Sequence, residues 1–529
     1  MRTNFYKLKN TIAFLIVFMT VGYAKAQAPS IEWQQCLGGS SQDFAKYVRQ
    51  TTDGGYIIAG KVHSNNGDVS GNHGGNDMWV VKLNAGGAIV WQRCLGGTYD
   101  DEVYAIEQTQ DGGYIVVGQT KSNDGDVTGL HSGFNAIDAW VVKLDALGAL
   151  LWQKTLGGSR QDTATDVKQT SDGGYAIVGY TNSIDGDVTG NHGSNDFWLI
   201  KLNNSGTIEW QKCIGGTGDD MAKSIQLTAD GGYVLAGITQ SNNGDVSGTQ
   251  GSGDFWVVKL TAAADLQWQK TLGGSLIEYG GIVKQTNDGG YLIVGQTSSV
   301  DGDVTGNHSG VLNNYDAWVV KLNESGVLEW QKCLGGSTID GAFDVLETTD
   351  NGFIVIGGVL SNDGDVVANH GDYDGWMVKL DNAGSLLWQK CFGGSGEELF
   401  LSIQQTTDGG CILAGGTASN DGDVIGFEGG FGNFSDLWVV KLEAEGLATS
   451  AFDKLAVKVF PNPVGNVLHI SSADQAIVTG VKIIDMKGKK VLEQTHNCKD
   501  IAVENLVRGI YILETTSNGK TSQTKFIKN

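Results

Sequence analysis

Fourteen tryptophans in a chain of 529 residues fall on only two positions of a repeat, and this limits the fold more than any other feature. Trp33, Trp91, Trp152, Trp210, Trp268, Trp330 and Trp388 each open a W-Q-x-C/T phrase, at spacings of 58, 61, 58, 58, 62 and 58 residues. Trp79, Trp140, Trp198, Trp256, Trp318, Trp376 and Trp438 each stand two residues after an Asp. A period of this length with strand-like content means a stacked or radial array. Within one unit, residues 44–51, 56–62, 77–84 and 88–95 are short runs rich in Val, Ile, Trp and Tyr. Gly-containing turns separate them, so four antiparallel strands are predicted, the content of a propeller blade. The alternative is a linear β-solenoid. The chain ends distinguish the two: residues 31–37 form a lone fourth strand, and the seventh unit stops after its third, 436–442. A spare strand at one end fits the gap at the other. The reading is therefore all-β, a seven-bladed β-propeller over 27–446 closed by its N-terminal strand. Both faces of a blade are covered, so the tryptophans are expected in the core.

One phrase, SNDGDV, stands at 122–127, 361–366 and 419–424, with near-copies at 64–69, 183–188, 241–246 and 299–304. Propeller topology puts these second-to-third loops on the same face as the GG links between blades. Three acidic positions per unit belong to that face. The first set follows the link: Asp43, Asp101, Asp162, Asp220, Glu278, Asp340 and Glu398. The second lies in the phrase: Asp68, Asp126, Asp187, Asp245, Asp303, Asp365 and Asp423. The third precedes Trp: Asp77, Asp138, Asp196, Asp254, Asp316, Asp374 and Asp436. A fourth, such as Asp53 in the TDGG turn, faces the other way. Two readings of the phrase stay open. Asp and Gly build tight turns, with carboxylates accepting loop N–H groups. Alternatively Ca2+, which takes six to eight oxygens, is held by the first and second sets. The first set, at a channel mouth, would repel itself unless a cation or shifted pKa values relieved it. His73, His131, His192, His308 and His370 recur nearby, each isolated within its own blade, and read as loop-surface residues.

Near-identical blades supply few singular residues, and no P-loop, HExxH, GxSxG or CxxC pair occurs. The longer loops of blades two, five and seven do carry aromatics: Phe134, Tyr315, Phe427, Phe431 and Phe434. These are the candidate ligand-binding residues, a patch for a glycan or protein partner. Binding is the preferred function. An enzyme acting on extracellular polysaccharide and a mainly structural surface protein are the alternatives. A monomer is expected.

The formal net charge is −23. Residues 454–529 are positive, so the repeat region is strongly acidic, which disfavours nucleic acid. Residues 1–26 read as a signal peptide, with a basic start, an apolar run from Ile12 to Tyr23 and Ala24-Lys25-Ala26 as cleavage site. No later run is long or apolar enough for a transmembrane helix. The seven cysteines do not read as a disulfide framework, since five share one repeat position.

After a linker at 447–456, residues 457–529 carry alternating apolar strands and Gly turns, as in a small β-sandwich. Their P-N-P phrase, VKIIDMKGKKVLEQ, LVRGIYIL and terminal KFIK resemble the type A C-terminal sorting domain of type IX secretion cargo. The resemblance implies export through the periplasm and outer membrane, with the secretion machinery as partner, and a secreted or cell-surface location. The 58-residue unit likewise resembles repeats of secreted bacterial propeller proteins.

Overall fold

The computed structural model describes residues 28–529 except 132–136, 310, 312–313, 428–434, 445–456, 473–477, 486–488, 496–497 and 518–519. The chain divides into two compact units, Ala28–Glu445 and Gly446–Asn529.

The first unit contains seven four-stranded antiparallel sheets. Blade one runs Asp43–Gln50, Tyr56–Val62, Asp77–Leu83 and Ile89–Leu95, from inner to outer strand. The inner strand begins at the acid itself, one residue before the sequence pattern, because Asp43 pairs with Val62 in the ladder. Blade seven has Glu398–Gln405, Cys411–Thr417 and Asp436–Leu442 from its own stretch of chain, and Ile31–Leu37 as outer strand. Gln34 sits opposite Val440 and Leu37 opposite Leu437. The ring closes as the chain ends predict. One backbone contact recurs at each junction: the Asp101 amide donates to the Asn76 carbonyl at 2.6 Å, and the Asp220 amide to Asn195 at 2.7 Å. The Asp43 amide donates to Ser435 at 2.7 Å, so blades seven and one meet as the others do.

The third-strand tryptophans have almost no exposed surface. Each lies in a cluster spanning two blades; Trp79 packs with Ile412, Leu437 and Val439 of blade seven. A buried indole N–H needs an acceptor, and the W-Q phrase supplies it. Trp79 Nε1 donates to Gln92 Oε1 at 2.7 Å, Trp140 to Gln153 at 2.8 Å, and Trp438 to Gln34 at 2.9 Å across the closure. The outer-strand tryptophans pack edge-on against the next blade, Trp33 on Tyr56 at 5.5 Å and Trp91 on Tyr114 at 5.8 Å. All seven cysteines are free.

Every inner strand shows a register shift at its fourth residue, as between Ala45 and Tyr47 or Ala222 and Ser224. Such a bulge re-aims a side chain, here toward the axis.

On the TDGG face a third-strand lysine lies buried in each blade and reaches the turn acid. Lys82–Asp53 is 3.0 Å, Lys259–Asp230 2.8 Å and Lys441–Asp408 2.9 Å. The Thr51 hydroxyl leads in holding Asp53 down to about 2, and Lys259 leads for Asp230, also about 2. Asp172, Asp288, Asp350 and Asp408 are likewise lowered to about 2.

The second unit has sheets of three and four strands. Leu468, Val481, Ile483, Ile501, Leu513 and Phe526 are among its buried residues. The Val464 amide donates to the Ile527 carbonyl at 2.7 Å and the Ile527 amide to Asn462 Oδ1 at 2.9 Å. The P-N-P phrase is thus fastened to the KFIK strand.

The turn acids set an acid limit. Their folded pKa lies below the unfolded value, so the unfolded chain binds more protons between about 4 and 2, and stability falls as pH drops through that window. Thermal melts followed by circular dichroism should show the midpoint falling steeply from pH 4 to pH 2. Asp230→Asn should make the fall shallower.

Candidate functional site

The SNDGDV phrase is a clip, and each of its residues has a task. In blade two, the Ser122 hydroxyl accepts the Tyr99 amide at 3.0 Å, and Asn123 Oδ1 accepts the Gly129 amide at 3.2 Å. Asp124 Oδ1 accepts the Thr98 amide at 2.8 Å. The Asn66 and Asn243 side chains make the same contact to Ser40 and Thr217, both at 2.9 Å. This contact needs only an oxygen acceptor, which explains why the position is Asn or Asp. Gly125 has φ +64°, and a Cβ there would strike the Gly96 carbonyl. The Asp126 amide donates to that carbonyl at 2.9 Å, and Val127 is fully buried. The loop therefore fastens the link that enters its own blade.

The first acid set is buried, each member showing no exposed surface. Asp43 Oδ2 accepts the Gly39 amide at 2.8 Å and its Oδ1 the His63 and Ser64 amides at 3.0 and 3.1 Å. Asp220 accepts the Gly216 amide at 2.8 Å, the Ser241 hydroxyl at 2.7 Å and the Thr239 hydroxyl. Glu278 accepts the Gly274 amide at 3.3 Å and the Thr297 hydroxyl at 2.7 Å. Instead of standing open at a channel mouth, these carboxylates are tied to donors of their own blades. Burial pushes Asp101 and Asp162 up to about 6 and Glu278 up to about 7. The second set is half-buried to exposed. Among the described residues no group of three or more His, Cys, Asp or Glu gathers in a form that could hold a metal ion.

Three of the histidines, His73, His131 and His308, are not isolated within their blades. His131 Nδ1 meets Asp138 Oδ2 of its own blade at 2.8 Å, while Nε2 reaches Asp187 of the next at 3.5 Å. His73 spans Asp77 at 2.7 Å and Asp126 at 4.0 Å; His308 spans Asp316 at 2.6 Å and Asp365 at 3.8 Å. In blade four Gln250 takes this place, with its amide nitrogen 2.9 Å from Asp303 of blade five. Hence His73, His131, His308 and Gln250 each link the third acid of their own blade to the next blade, while His192 and His370 meet the third acid of their own blade, Asp196 and Asp374, at 2.6 Å.

Of the aromatic residues, Tyr315 is half-buried and packs edge-on against Tyr279, with ring centroids 5.5 Å apart and Tyr279 40 % exposed. Phe427 is half-buried on blade seven. Phe134, Phe431 and Phe434 lie outside the described residues.

Sequence reasoning missed the axis. The fourth, fifth and seventh inner-strand positions differ from blade to blade, and they meet there. Arg49 stands over the Tyr47 ring at 3.9 Å and donates to Ser402 Oγ at 3.1 Å. Lys168 contacts Asp166 at 2.7 Å and Glu107 at 3.8 Å. The signal was present as the columns where near-identical repeats disagree: Lys46, Tyr104, Thr165, Lys223, Gly281, Phe343 and Leu401 in the fourth.

Two measurements check the clip and the buried acids. Ca2+ titrated from micromolar to millimolar after EDTA should give no saturable rise in melting temperature; such a rise would place an ion among the half-buried second set. Between pH 4.5 and 7 the folded protein holds protons that the unfolded chain has released, so stability falls as pH rises. Glu278→Gln should flatten that slope in denaturant titrations.

Comparison with curated proteins gives no match. Among solved structures, the Neurospora crassa Pan2 WD40 domain is similar at 10 % identity and TM-score 0.40, over 76 % of this chain and 97 % of that one. A polysaccharide lyase of family PL25, an ulvan lyase, gives 10 % identity and TM-score 0.41, over 72 % and 93 %. PorZ, a surface component of the type IX secretion system of Porphyromonas gingivalis, gives 11 % and 0.30, over 90 % and 69 %. No helix among the described residues is long and apolar enough to cross a membrane, which says nothing of a β-barrel. Residues 458–529 match the family of the secretion system C-terminal sorting domain, Por_Secre_tail. This domain engages the type IX secretion machinery, and the chain is a type IX cargo protein, secreted or held at the outer cell surface, whose cargo portion is a β-propeller.

Proposed function

We propose that the propeller is an extracellular binding protein whose loop face takes a glycan. The observation that carries this reading is the Tyr279–Tyr315 pair, two rings fixed edge-on with one of them 40 % exposed. Tyr279 follows the buried Glu278 at the start of an inner strand, so it stands on rigid scaffold. A fixed aromatic surface suits the C–H face of a sugar ring at low entropic cost. The exposed carboxylates of Asp68, Asp124 and Asp185 on the same face offer acceptors to sugar hydroxyls. Phe427 would extend the surface on blade seven, and Phe134, Phe431 and Phe434 belong to the same proposal. Polysaccharide cleavage is the weaker reading, since the first and third acid sets are buried and closed to a substrate.

An array of neutral, uronic and sulfated polysaccharides probed with the purified protein tests this. Binding to at least one glycan is expected, with Tyr279→Ala plus Tyr315→Ala weakening it tenfold or more. Unchanged binding in the double variant would remove the tyrosines from the site. Depolymerisation of a bound polysaccharide would reverse the order of the two readings.

A further inference from the structure

The axis holds a cavity of about 300 Å³ lined by residues of all seven inner strands. This is the size of a small ligand pocket. Its walls are unlike the rest of this acidic unit, for Lys46, Lys223 and Lys284 point into it, with Tyr47, Tyr104, Thr165 and Ser224 beside them. Two carboxylates also line it, and both are already matched. Asp166 accepts the Ile225 amide at 3.0 Å and the Val167 amide at 2.8 Å, and pairs with Lys168 at 2.7 Å. Asp344 accepts the Val345 and Ile403 amides at 2.9 and 3.1 Å, and Lys284 lies 3.6 Å away.

Lys46 and Lys223 are the surplus. Among the described residues no carboxylate stands within ion-pair distance of either; each rests near a ring, Lys46 at 5.4 Å from Phe44 and Lys223 at 5.7 Å from Tyr180. Glu102, the acid whose charge acts on Lys46, is engaged by Lys61 at 3.9 Å and by the Tyr104 hydroxyl at 3.1 Å. Burial lowers the pKa of both lysines, and Lys61 and Lys223 add repulsion at Lys46. Bringing two uncompensated ammonium groups to one cavity costs free energy that a bound anion returns. Both lysines sit at fourth positions, at the register shift of their inner strands, and both line the cavity.

We propose that the axial cavity is a binding site for a small oxyanion, a carboxylate- or sulfate-bearing ligand about one sugar unit in size, gripped by Lys46 and Lys223. The site is separate from the loop-face surface, and neither requires the other.

The test is a thermal shift and calorimetric titration of the purified protein with sodium glucuronate, sulfate and phosphate, against glucose and matched sodium chloride. A saturable rise with at least one oxyanion, and none with glucose or chloride, is expected. A response to glucuronate alone identifies a sugar acid, and a response to sulfate or phosphate as well identifies a general oxyanion site; both support the proposal. Lys46→Gln and Lys223→Gln should each weaken binding tenfold or more. Lys121→Gln, at a surface lysine paired with Asp100, should leave it unchanged. If a variant does not fold, acetylation of the wild-type protein gives the same answer: the bound anion should protect Lys46 and Lys223 and not Lys121. No saturable response to any oxyanion, or an equal response in the Lys46→Gln plus Lys223→Gln variant, overturns the proposal.

Discussion

The indole N–H of every third-strand Trp finds a Gln acceptor in the outer strand, and this bond organises the propeller. The third strand of each blade is covered on both faces, so the Trp that fills the gap to the preceding blade cannot reach water. Its N–H is met by the Gln beside the outer-strand Trp, which fixes the register of third and outer strands. The same bond between Trp438 and Gln34 spans the two ends of the repeat region. Once those strands are fixed, the link that follows is placed, and the loop clip can close over it. Leaving such a donor unmet in the interior costs about 1–3 kcal/mol, which is why the Gln recurs in every outer strand.

Much of this was legible because repetition turns chemistry into columns. The strand runs, the blade count and the closure all follow from counting apolar phrases and noticing one spare strand. The meaning of SNDGDV was harder. Its partners in the link lie 23–30 residues earlier, as Tyr99 does from Ser122, Thr98 from Asp124 and Gly157 from Asp187. Local sequence shows six letters and cannot show the carbonyl they meet. His73, His131 and His308 are hard to read for a related reason: Nδ1 serves an acid a few residues away, while Nε2 serves one in the next repeat.

The axis was the least legible part. Attention to what repeats hides what does not, and the fourth, fifth and seventh inner-strand positions look like noise in an otherwise regular text. A bulge in each inner strand turns that variation inward, so the residues free to differ are brought together. The scaffold thus separates two demands. Repeated positions carry the packing, and the positions exempt from packing carry whatever is particular to this protein.

Closure by the first strand also sets an order of events. Ile31–Leu37 is made before any blade, yet its ladder, among the described residues, is with Asp436–Leu442, at the far end of the repeats. Until then it is an open edge with unmet backbone groups, and blade seven lacks its outer wall. The last blade therefore completes only when the oldest and newest parts of the domain meet. A chain cut short anywhere within the repeats keeps two unpaired edges rather than a smaller ring. Such products are targets for proteolysis and edge-to-edge association. The clasp thus acts as a check on completeness, since only a full-length domain can hide its first strand.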